Sequence, residues 1–524
     1  MSRTFRIHPA IGIARLGDSP DEYFVGAEAP GVLPSLGDGK RRDAQQRIKR
    51  QGARFRIYEY EPDASGTLKA AREITAAEAQ IEWQVHLANR KAAAPRFNGD
   101  TRRNEGIPED RLVIDAGAQT ISGASQSMKR MSGSFMGLAV PLGDLLTDEA
   151  GRLIVLGGFG HSESVPPGQP LVNYANNDGW HDDVSDGPVS ATVRLHGDSE
   201  AVAADPARLL VAPPDYAPEI QSIITLYDLV YHMMAKFDPS LGVSADTRLS
   251  FTRDIFPILR RVSNMHWVSD NSSRHRPGQR GHFISRLDEL SSRAEEQRAA
   301  REGILRRLRN PDNPNASKLA NMPKLPSAVI EGDVAGASLT NVQYQRMVKW
   351  ANGEFEADWP GQEPRPVPLD QLPVQAQPDA LDRAPLLSAV GAGRYPGIEV
   401  GNIMLDPQTY DPQRLFRINT SLPAGALTAQ MAAPWQADFR DCEFEAGGYD
   451  WWPGQRPNEV WRMVDGELKR EPWRPHTDEW VVDEDQDILS GRHTMVAQWS
   501  GLGFIVRKTI AGEEKFVEDE RRLA

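Results

Sequence analysis

Cysteine is almost absent from this sequence of 524 residues, in which Cys442 is the only one. A single thiol excludes an intrachain disulfide, a zinc site made of several cysteines and a cysteine-ligated iron–sulfur cluster. A chain without disulfides is typical of a reducing compartment. Any sulfur chemistry in this protein therefore depends on Cys442, for which the ordinary alternative is a buried and inert thiol.

The sequence also lacks long apolar runs and an excess of positive charge. No stretch approaches the ~18 consecutive apolar residues of a membrane-spanning helix, and the N-terminus MSRTFRIHPA has no secretory signal pattern. The net charge of −13 argues against nucleic acid or an anionic membrane as a partner. We expect the protein to fold and mature in the cytoplasm. Any later export would have to proceed without a recognisable signal peptide.

Common catalytic signatures are missing as well. The run Gly158-Phe159-Gly160 lacks the third glycine of a dinucleotide-binding loop, and neither a phosphate-binding G-x-x-x-x-G-K-[ST] nor a G-x-S-x-G nucleophile elbow occurs. Residues 176–188 are rich in oxygen ligands and could hold a hard cation. Their spacing is not that of an EF-hand, and we favour an Asx-turn loop there. We predict no metal site.

Composition and the periodicity of apolar residues divide the chain into four parts, and the predicted fold class is α+β. Residues 1–218 carry short alternating runs and are predicted to form a strand-rich domain, whereas residues 219–352 show helical spacing of their apolar positions. In residues 353–385 the density of proline excludes regular helix and indicates an extended connection. Residues 386–524 form a mixed, tryptophan-rich C-terminal region.

Individual strands and helices can be placed by the periodicity of their apolar residues and by the glycine and proline residues that end them. Strands are predicted over residues 54–60, 152–156 and 209–212. Helices are predicted over residues 223–234, 285–309 and 339–355. In the first of these strands Phe55 and Ile57 share one face, which is typical of a half-buried strand.

Tryptophan is concentrated towards the end of the chain. Seven of the 12 tryptophans lie between residues 435 and 499, and Cys442 lies among them. So dense a cluster exceeds what core packing needs, which indicates that this region uses indoles chemically.

A cysteine hydrolase is one explanation for Cys442, because His476 and His493 follow it and either could pair with the thiol. However, several carboxylates lie within four residues of the sulfur, namely Asp438, Asp441, Glu443 and Glu445. Nearby negative charge raises the pKa of a thiol and opposes a thiolate nucleophile. Another use of the sulfur is therefore favoured.

Short motifs along nearly the whole chain resemble those of one known family. They are residues 5–19 (FRIHPAIGIARLGDS), 49–55 (KRQGARF), 82–89 (EWQVHLAN), 156–159 (LGGF), 176–180 (NNDGW), 185–188 (SDGP), 211–215 (VAPPD), 253–257 (RDIFP), 395–399 (YPGIE), 435–442 (WQADFRDC), 451–457 (WWPGQRP) and 499–504 (WSGLGF). Each motif is weak alone, but together and in this order they are specific. The chain resembles the LodA-like family of lysine 6-oxidases and glycine oxidases, whose cofactor is cysteine tryptophylquinone.

The resemblance implies which residues form the cofactor. The family's quinone arises when a cysteine sulfur bonds to an indole that has gained two oxygen atoms. By resemblance the cysteine is Cys442, and the tryptophan is Trp499, which fits the family pattern W-x-x-L-G-F. Trp451 and Trp452 are the weaker choices, and a core indole on a strand over residues 498–505 is the structural alternative for Trp499.

The resemblance also implies catalytic residues. Asp438, four residues before the cysteine, matches a family carboxylate needed for maturation and turnover, and we assign it as the catalytic base rather than as an ordinary surface aspartate. His476 is assigned as a second catalytic residue that lines the site, with His493 as the competing choice. Tyr216 and Tyr395 are further candidates for the pocket.

The implied activity is oxidation of an amino acid or another primary amine by dioxygen to an aldehyde or oxo acid, ammonia and hydrogen peroxide. The resemblance also implies a separate flavoprotein that matures the cofactor, and a homo-oligomer. Because the chain is shorter than the family's lysine and glycine oxidases, the substrate is the least transferable property. The ε-amine of lysine, the α-amine of glycine, another amino acid and a peptide-borne amine all stay open. The alternative functions are a catalytically silent binding or structural member of the family and the Cys442 hydrolase.

Overall fold

The computed structural model describes residues 3–313, 320, 322, 338–391, 397–441, 454–475 and 487–522. Its strands are β1 Thr4–His8, β2 Ile11–Arg15, β3 Tyr23–Val25, β4 Arg50–Pro62, β5 Leu68–Ile74, β6 Ala79–Asn89, β7 Ile114–Ser122, β8 Lys129–Phe135, β9 Leu138–Thr147, β10 Leu153–Gly157, β11 Ser162–Ser164, β12 Trp180–Asp182, β13 Asp186–Leu195, β14 Val202–Ala203, β15 Ala207–Ala212, β16 Glu459–Val464, β17 Glu467–Pro472, β18 Phe504–Ile510 and β19 Glu513–Asp519. Its α-helices are α1 Leu226–Phe237, α2 Phe256–Asn264, α3 Leu287–Leu290, α4 Arg298–Leu305, α5 Asn341–Ala351, α6 Gln377–Leu387, α7 Trp435–Asp441 and α8 Asp487–Gln498.

The strand-rich part of the chain is built on one 13-stranded sheet. Its main path runs β7-β6-β13-β15-β2-β4-β10-β9-β8, while β1, β3 and β5 pair with β4, and β14 pairs with β13. Strand β4 can pair with several partners because it is 13 residues long. Strand β6 alternates between buried and exposed positions over most of its length, as expected for a sheet with one face on the core.

The predicted strands are confirmed. Residues 54–60 lie within β4, where Phe55 and Ile57 are fully buried. Strand β10 is buried along its whole length because it lies between β4 and β9, and it ends where the glycine-rich turn after Gly157 begins. Strand β15 ends at Ala212, just before two prolines that cannot donate to a ladder.

The predicted helical character of residues 219–352 is confirmed in the part of that region that the structure describes. Helix α1 begins with a capping box, in which the Thr225 side chain accepts from the backbone of Asp228 and the Asp228 side chain accepts in return. The predicted helix over 285–309 is shorter and broken, since α3 and α4 are separated by non-helical residues. Helix α5 lies inside the predicted segment 339–355.

Two details of the prediction are wrong. The proline-rich connection contains helix α6, because Pro378 occupies its first turn, where a backbone N–H has no helical partner, and Pro385 lies close to its end. Trp499 is not on a strand over residues 498–505. It begins a 3-10 turn directly after α8, and strand β18 starts only at Phe504.

Side chains from all parts of the described chain meet in one buried cluster, which includes Phe55 of the sheet, Trp350 of α5 and Trp499. The observed fold is thus α+β, with a strand-rich N-terminal sheet and helices packed on it. The domain boundaries at residues 1–218, 219–352, 353–385 and 386–524 stay a prediction. None of the described helices is long and apolar enough to cross a membrane.

Candidate active site around Trp499

Trp499 lies where α8 gives way to a 3-10 turn, and it is only 5% exposed. Its backbone carbonyl accepts a hydrogen bond of 2.8 Å from the hydroxyl of Tyr216. The Tyr216 ring is fully buried and contacts Phe504 and Trp473, at centroid distances of 5.1 and 4.7 Å. The turn that carries Trp499 is therefore fixed by a packed aromatic side chain.

The six-membered ring of Trp499 lies against the backbone of Gly160. A Cβ atom at Gly160 would stand 2.1 Å from Cζ2 and 2.6 Å from Cη2 of the indole. These distances are far below van der Waals contact, and the φ of +74° at Gly160 lies in the left-handed region that favours glycine. Only glycine lets the chain pass so close to this ring.

The helix that carries Asp438 also contacts Trp499. Trp435 is the first residue of α7, and its ring meets the Trp499 ring at a centroid distance of 5.4 Å and an interplanar angle of 70°. The Gln436 side chain donates to the carbonyl of Gly160 at 3.0 Å. Asp438, one turn further along α7, is 5% exposed. Helix α7 and the glycine-rich turn therefore meet at Trp499.

The start of α7 is held by the buried Asp182 of β12. Asp182 Oδ2 accepts from the backbone N–H of Trp435 at 2.9 Å and pairs with Lys91 Nζ at 2.8 Å. Asn89 Nδ2 donates to the other oxygen at 2.9 Å. Burial lowers the pKa of the Lys91 ammonium, and the Asp182 carboxylate opposes that shift. A carboxylate at the first N–H of a helix stabilises that end.

The next residue, Asp183, binds the glycine-rich turn instead. Its Oδ2 accepts from the backbone N–H groups of Phe159 at 2.6 Å and His161 at 3.1 Å. A Cβ atom at Gly158 would lie 2.4 Å from that oxygen, so glycine makes room for the carboxylate. Burial, reinforced by the adjacent Asp182, raises the pKa of Asp183 to about 7. Asp183 Oδ1 is buried without a hydrogen-bond partner among the described residues.

The oxygen-rich run of residues 176–188 is a structural anchor with the expected Asx geometry. Asp182 Oδ1 accepts from the backbone N–H of Val184 at 3.2 Å. Asp186 Oδ1 accepts from both the backbone and the hydroxyl of Thr428, each at 2.9 Å. Within the described parts of the chain, no group of three His, Cys, Asp or Glu side chains could hold a metal ion.

Among the candidates predicted from the sequence, Trp499, Asp438 and Tyr216 lie in the same buried region. Tyr216 reaches α7 as well, through a ring contact of 6.4 Å with Phe439. Several other candidates lie outside the described residues, namely Cys442, His476, Tyr395, Trp451 and Trp452. The described part of α7 ends at Asp441, the residue before the cysteine.

The competing histidine, His493, is exposed on α8. Its ring lies 5.8 Å from that of Trp180. Partial burial against this surface lowers the pKa of His493. His493 therefore contacts the indole of Trp180, and the indole of Trp499 is contacted by Trp435.

Four residues at this site were missed by sequence reasoning: Gly160, Asp183, Trp435 and Gln436. Weak signals were present, because Gly160 belongs to a glycine-rich run and the other three lie in or beside family motifs. Their roles come from contacts between residues 22 to more than 200 positions apart, such as the bonds from Asp183 to the turn and the bond from Gln436 to Gly160. No local pattern could have paired them.

The surroundings of Trp499 fit an indole that carries oxygen substituents. Trp435 Nε1 is a buried N–H without a hydrogen-bond partner in the described parts of the chain. A buried N–H without an acceptor costs about 1–3 kcal/mol, and Trp435 contacts the Trp499 ring directly. Oxygen atoms added to the Trp499 ring are hydrogen-bond acceptors, which the Trp435 N–H lacks among the described residues.

Comparisons with known proteins identify the family of this chain. Residues 8–211 match the family described as L-lysine epsilon oxidase N-terminal, and residues 319–463 match the L-lysine epsilon oxidase C-terminal domain. The L-lysine 6-oxidase of Marinomonas mediterranea is 28% identical over 546 aligned positions, which cover 84% of this chain and 71% of that protein.

Solved structures share the fold. The crystal structure of the L-Lys epsilon-oxidase from Marinomonas mediterranea matches with a TM-score of 0.77 at 23% identity, covering 99% of this chain and 95% of that one. The crystal structure of the Schiff base intermediate of the same enzyme with L-Lys matches over the same shares, with a TM-score of 0.78 at 23% identity.

These matches define the class of protein first: the chain is an oxidoreductase of the amino-acid oxidase class, which acts on CH–NH2 groups with oxygen as acceptor. It belongs to the LodA-like family, since both domain descriptions of that family match it in order along the chain.

Proposed function

We propose that the chain is a cysteine tryptophylquinone-dependent amino-acid oxidase whose cofactor is formed by Cys442 and Trp499. The reaction is the oxidative deamination of a primary amine by dioxygen, which yields an aldehyde or oxo acid, ammonia and hydrogen peroxide. Once formed, the quinone supplies an electrophilic carbonyl and an electron sink, and the protein supplies binding, orientation and proton transfer.

The observation that carries this proposal is the contact between Trp435 and Trp499. Through it, the first residue of α7 packs on the indole. The same helix holds the buried Asp438, and its described part reaches Asp441, the residue before Cys442 in the sequence. A helix of seven residues is only about 10 Å long. The carboxylate and the end of the helix are therefore held close to the proposed cofactor.

Asp438 is the proposed catalytic base. A carboxylate that takes a proton from the carbon bonded to the amine nitrogen contributes ~10²–10⁴-fold in rate. Because Asp438 is 5% exposed, little bulk water reaches it. His476 is proposed as a second catalytic residue, on the family resemblance alone.

The aromatic side chains beside Trp499 are proposed to keep the site dry and the indole oriented. Tyr216, Trp473 and Phe504 are all buried, and the Tyr216 hydroxyl is committed to the carbonyl of Trp499. Exclusion of water strengthens every electrostatic interaction that a buried base can make. Tyr216 is accordingly proposed as a positioning residue rather than as a proton donor.

An amino acid with a primary amine is the proposed substrate. The Marinomonas relative is named an L-lysine 6-oxidase, but this chain aligns with 71% of its length. Loops that differ in length are the usual determinants of pocket shape. A peroxide-release screen over free amino acids and peptide-borne amines is the direct measurement of the substrate range.

Maturation is proposed to require a separate flavoprotein, because oxygenation of an indole needs an oxidising partner that ordinary side chains do not supply. The mature enzyme is proposed to be a homo-oligomer. Maturation is placed in the cytoplasm, with any later export independent of a recognisable signal peptide.

Intact mass and visible absorbance test the cofactor. Protein co-expressed with the flavoprotein gains two oxygen atoms and loses four hydrogen atoms when the linked quinone forms, and it becomes coloured. Its sulfur then resists alkylation. An unchanged sequence mass with an alkylatable Cys442 contradicts the proposal. Inactivation by that alkylation would favour the hydrolase, and a colourless protein without activity would favour the silent family member.

The assignment of the base is tested by Asp438→Ala, which we expect to abolish both colour and turnover. Asp178→Ala is a matched control, because Asp178 is an exposed aspartate that pairs with Arg96. An active and coloured Asp438→Ala protein would remove Asp438 as the base.

A further inference from the structure

We propose that Asp183 is a positioning residue for the indole of Trp499 and that it acts through the turn formed by residues 158–161. This inference rests on the proposed role of Trp499 in the cofactor. It gives a function to a fully buried carboxylate that the reaction proposed above does not use.

The turn touches a buried side chain at each of its two glycines. Gly158 leaves room for the Asp183 carboxylate, and Gly160 leaves room for the ring of Trp499. The two N–H groups that bind Asp183 Oδ2 belong to Phe159 and His161, which flank Gly160 on either side. A displacement of the carboxylate therefore displaces the backbone on which the indole rests.

The rest of the turn is held as tightly. The guanidinium groups of Arg50 and Arg130 lie 4.4 and 4.8 Å from the centre of the Phe159 ring. Both arginines pair with Asp144, at 2.6 and 2.5 Å. With Phe159 fixed by these cations and the Gly160 carbonyl bound by Gln436, the backbone hydrogen bonds to Asp183 complete the set of contacts that hold Gly160 against Trp499.

A second aspartate provides a natural comparison at the opposite end of β10. Asp148 Oδ1 accepts from the backbone N–H groups of Ala150 and Arg152, at 3.0 and 2.9 Å. Five residues of strand, about 16 Å, separate that turn from the glycine-rich one. Asp148 also lies 3.5 Å from Arg54, whereas the carboxylate of Asp183 forms no ion pair with any described residue.

Electrostatics make the charge of Asp183 sensitive to pH near neutrality. Burial and the Asp182 charge raise the pKa of Asp183 to about 7. The other charged or titratable groups around it are Lys91, which is paired to Asp182, Arg50 of β4, and His161 of the turn itself. Only the backbone of Gly160 and its neighbours separates this charge from the indole, so its ionisation should be visible in the absorption of a quinone formed there.

The first test needs no cofactor and uses the full chain before maturation. Hydrogen exchange followed by mass spectrometry reports on the amides of residues 158–163. Asp183→Ala removes the one oxygen that accepts from the N–H groups of Phe159 and His161, and we expect these two amides to exchange about tenfold faster, since the loss of a hydrogen bond of about 1.4 kcal/mol corresponds to that factor. Asp148→Ala should leave them unchanged. Equal exchange in wild type and Asp183→Ala would overturn the inference, whether or not a quinone forms.

The second test uses the matured enzyme and Asp183→Asn, whose amide oxygen can still accept both N–H groups. We expect this variant to retain the mass of the linked quinone. In the wild type the visible band should shift with a midpoint near pH 7, and in Asp183→Asn that shift should disappear. Asp148→Asn should titrate like the wild type.

The outcomes separate the two proposals. A wild-type protein without the quinone mass defeats the proposed function, and the hydrogen-exchange arm then decides the role of Asp183 alone. A coloured wild type whose band titrates identically in Asp183→Asn overturns the link between the Asp183 charge and the indole, and unchanged hydrogen exchange in Asp183→Ala overturns the positioning role. If the titration is lost only in Asp183→Asn and this variant retains the mass of the linked quinone, the link between the Asp183 charge and the indole is supported.

Discussion

The two tryptophans Trp473 and Trp499 belong to the same buried core and both contact Tyr216, but they have very different surroundings. Trp473 is fully buried, its Nε1 donates to the carbonyl of Gly503 at 3.1 Å, and the guanidinium of Arg456 lies 5.4 Å from the centre of its ring. Every feature of this environment is that of a structural side chain whose polar atom is satisfied.

Trp499 instead rests on bare backbone at Gly160 and faces Trp435, whose N–H has no acceptor among the described residues. Native proteins satisfy nearly all buried polar atoms, so the unsatisfied N–H of Trp435 against this ring needs an explanation. The comparison separates a structural indole at Trp473 from the indole at Trp499, which we propose as part of the cofactor.

Exchange of the two indoles for phenylalanine should separate these uses most sharply. Trp499→Phe cannot form the quinone, so we expect complete loss of colour and of peroxide release. Trp473→Phe leaves the Gly503 carbonyl without its donor and should lower the free energy of unfolding by about 1–3 kcal/mol, while the matured protein keeps its colour. Denaturant titration and visible spectra measure both. A coloured Trp499→Phe protein would contradict the assignment of the cofactor.

The glycine beneath the ring can be tested against a glycine with similar backbone geometry. Gly160→Ala would place a methyl group 2.1 Å from Trp499 Cζ2, and we expect quinone formation to fall at least about tenfold because the ring is displaced. Gly168 has a φ of +84° and no neighbour within 4 Å. Gly168→Ala should therefore show only the backbone strain of about 1–2 kcal/mol. Equal colour in both variants would show that the close approach at Gly160 is not required.

Stability should depend on pH through Asp183. Its pKa is about 7 in the folded protein against an ordinary value of 3.8, so the folded state holds the proton more tightly. From pH 4 to 7, the contribution of Asp183 to the free energy of unfolding should fall by up to about 1.4 kcal/mol per pH unit. Asp183→Asn has no such proton. The stability of wild type minus that of the variant should therefore decline over this range and level off above pH 7, as measured by urea titration.

Removal of the Tyr216 hydroxyl should have the smallest effect. Tyr216→Phe keeps the ring contacts with Trp473 and Phe504 but leaves the Trp499 carbonyl without its donor. We expect the free energy of unfolding to fall by about 1–2 kcal/mol, with the colour retained. A colourless Tyr216→Phe protein would show that this hydroxyl does more than hold the turn.

Sequence reasoning reached the elements whose pattern is local. The alternation around Phe55 and the buried run of β10 predicted real strands, and the helical spacing after residue 219 predicted real helices. It failed at α6, where proline in the first turn is compatible with a helix. The broken helix over residues 285–309 shows the same limit, because propensity does not locate the ends of short helices.

The candidate site was only partly accessible from the sequence. Trp499 and Asp438 were named through family motifs, and the structure buries both. Asp183 lay in an oxygen-rich run that could have been a cation loop, and nothing local distinguishes that use from its actual bonds to Phe159 and His161. Hydrogen bonds between a side chain and a separate backbone segment produce no periodic pattern in the sequence, so sequence reasoning cannot predict them.

By itself, the sequence determined the family, the α+β class and the chemical inventory: a lone sulfur, a cluster of indoles and no cysteine metal site. These properties follow from composition and from short motifs, which can be read without knowing any distance in the folded protein. Only the tertiary structure decided which indole rests on a glycine backbone, which helix packs on that indole and which aspartate holds the turn. The reason is physical, since burial and hydrogen-bond geometry arise from contacts between distant segments, and such contacts exist only after the chain has folded.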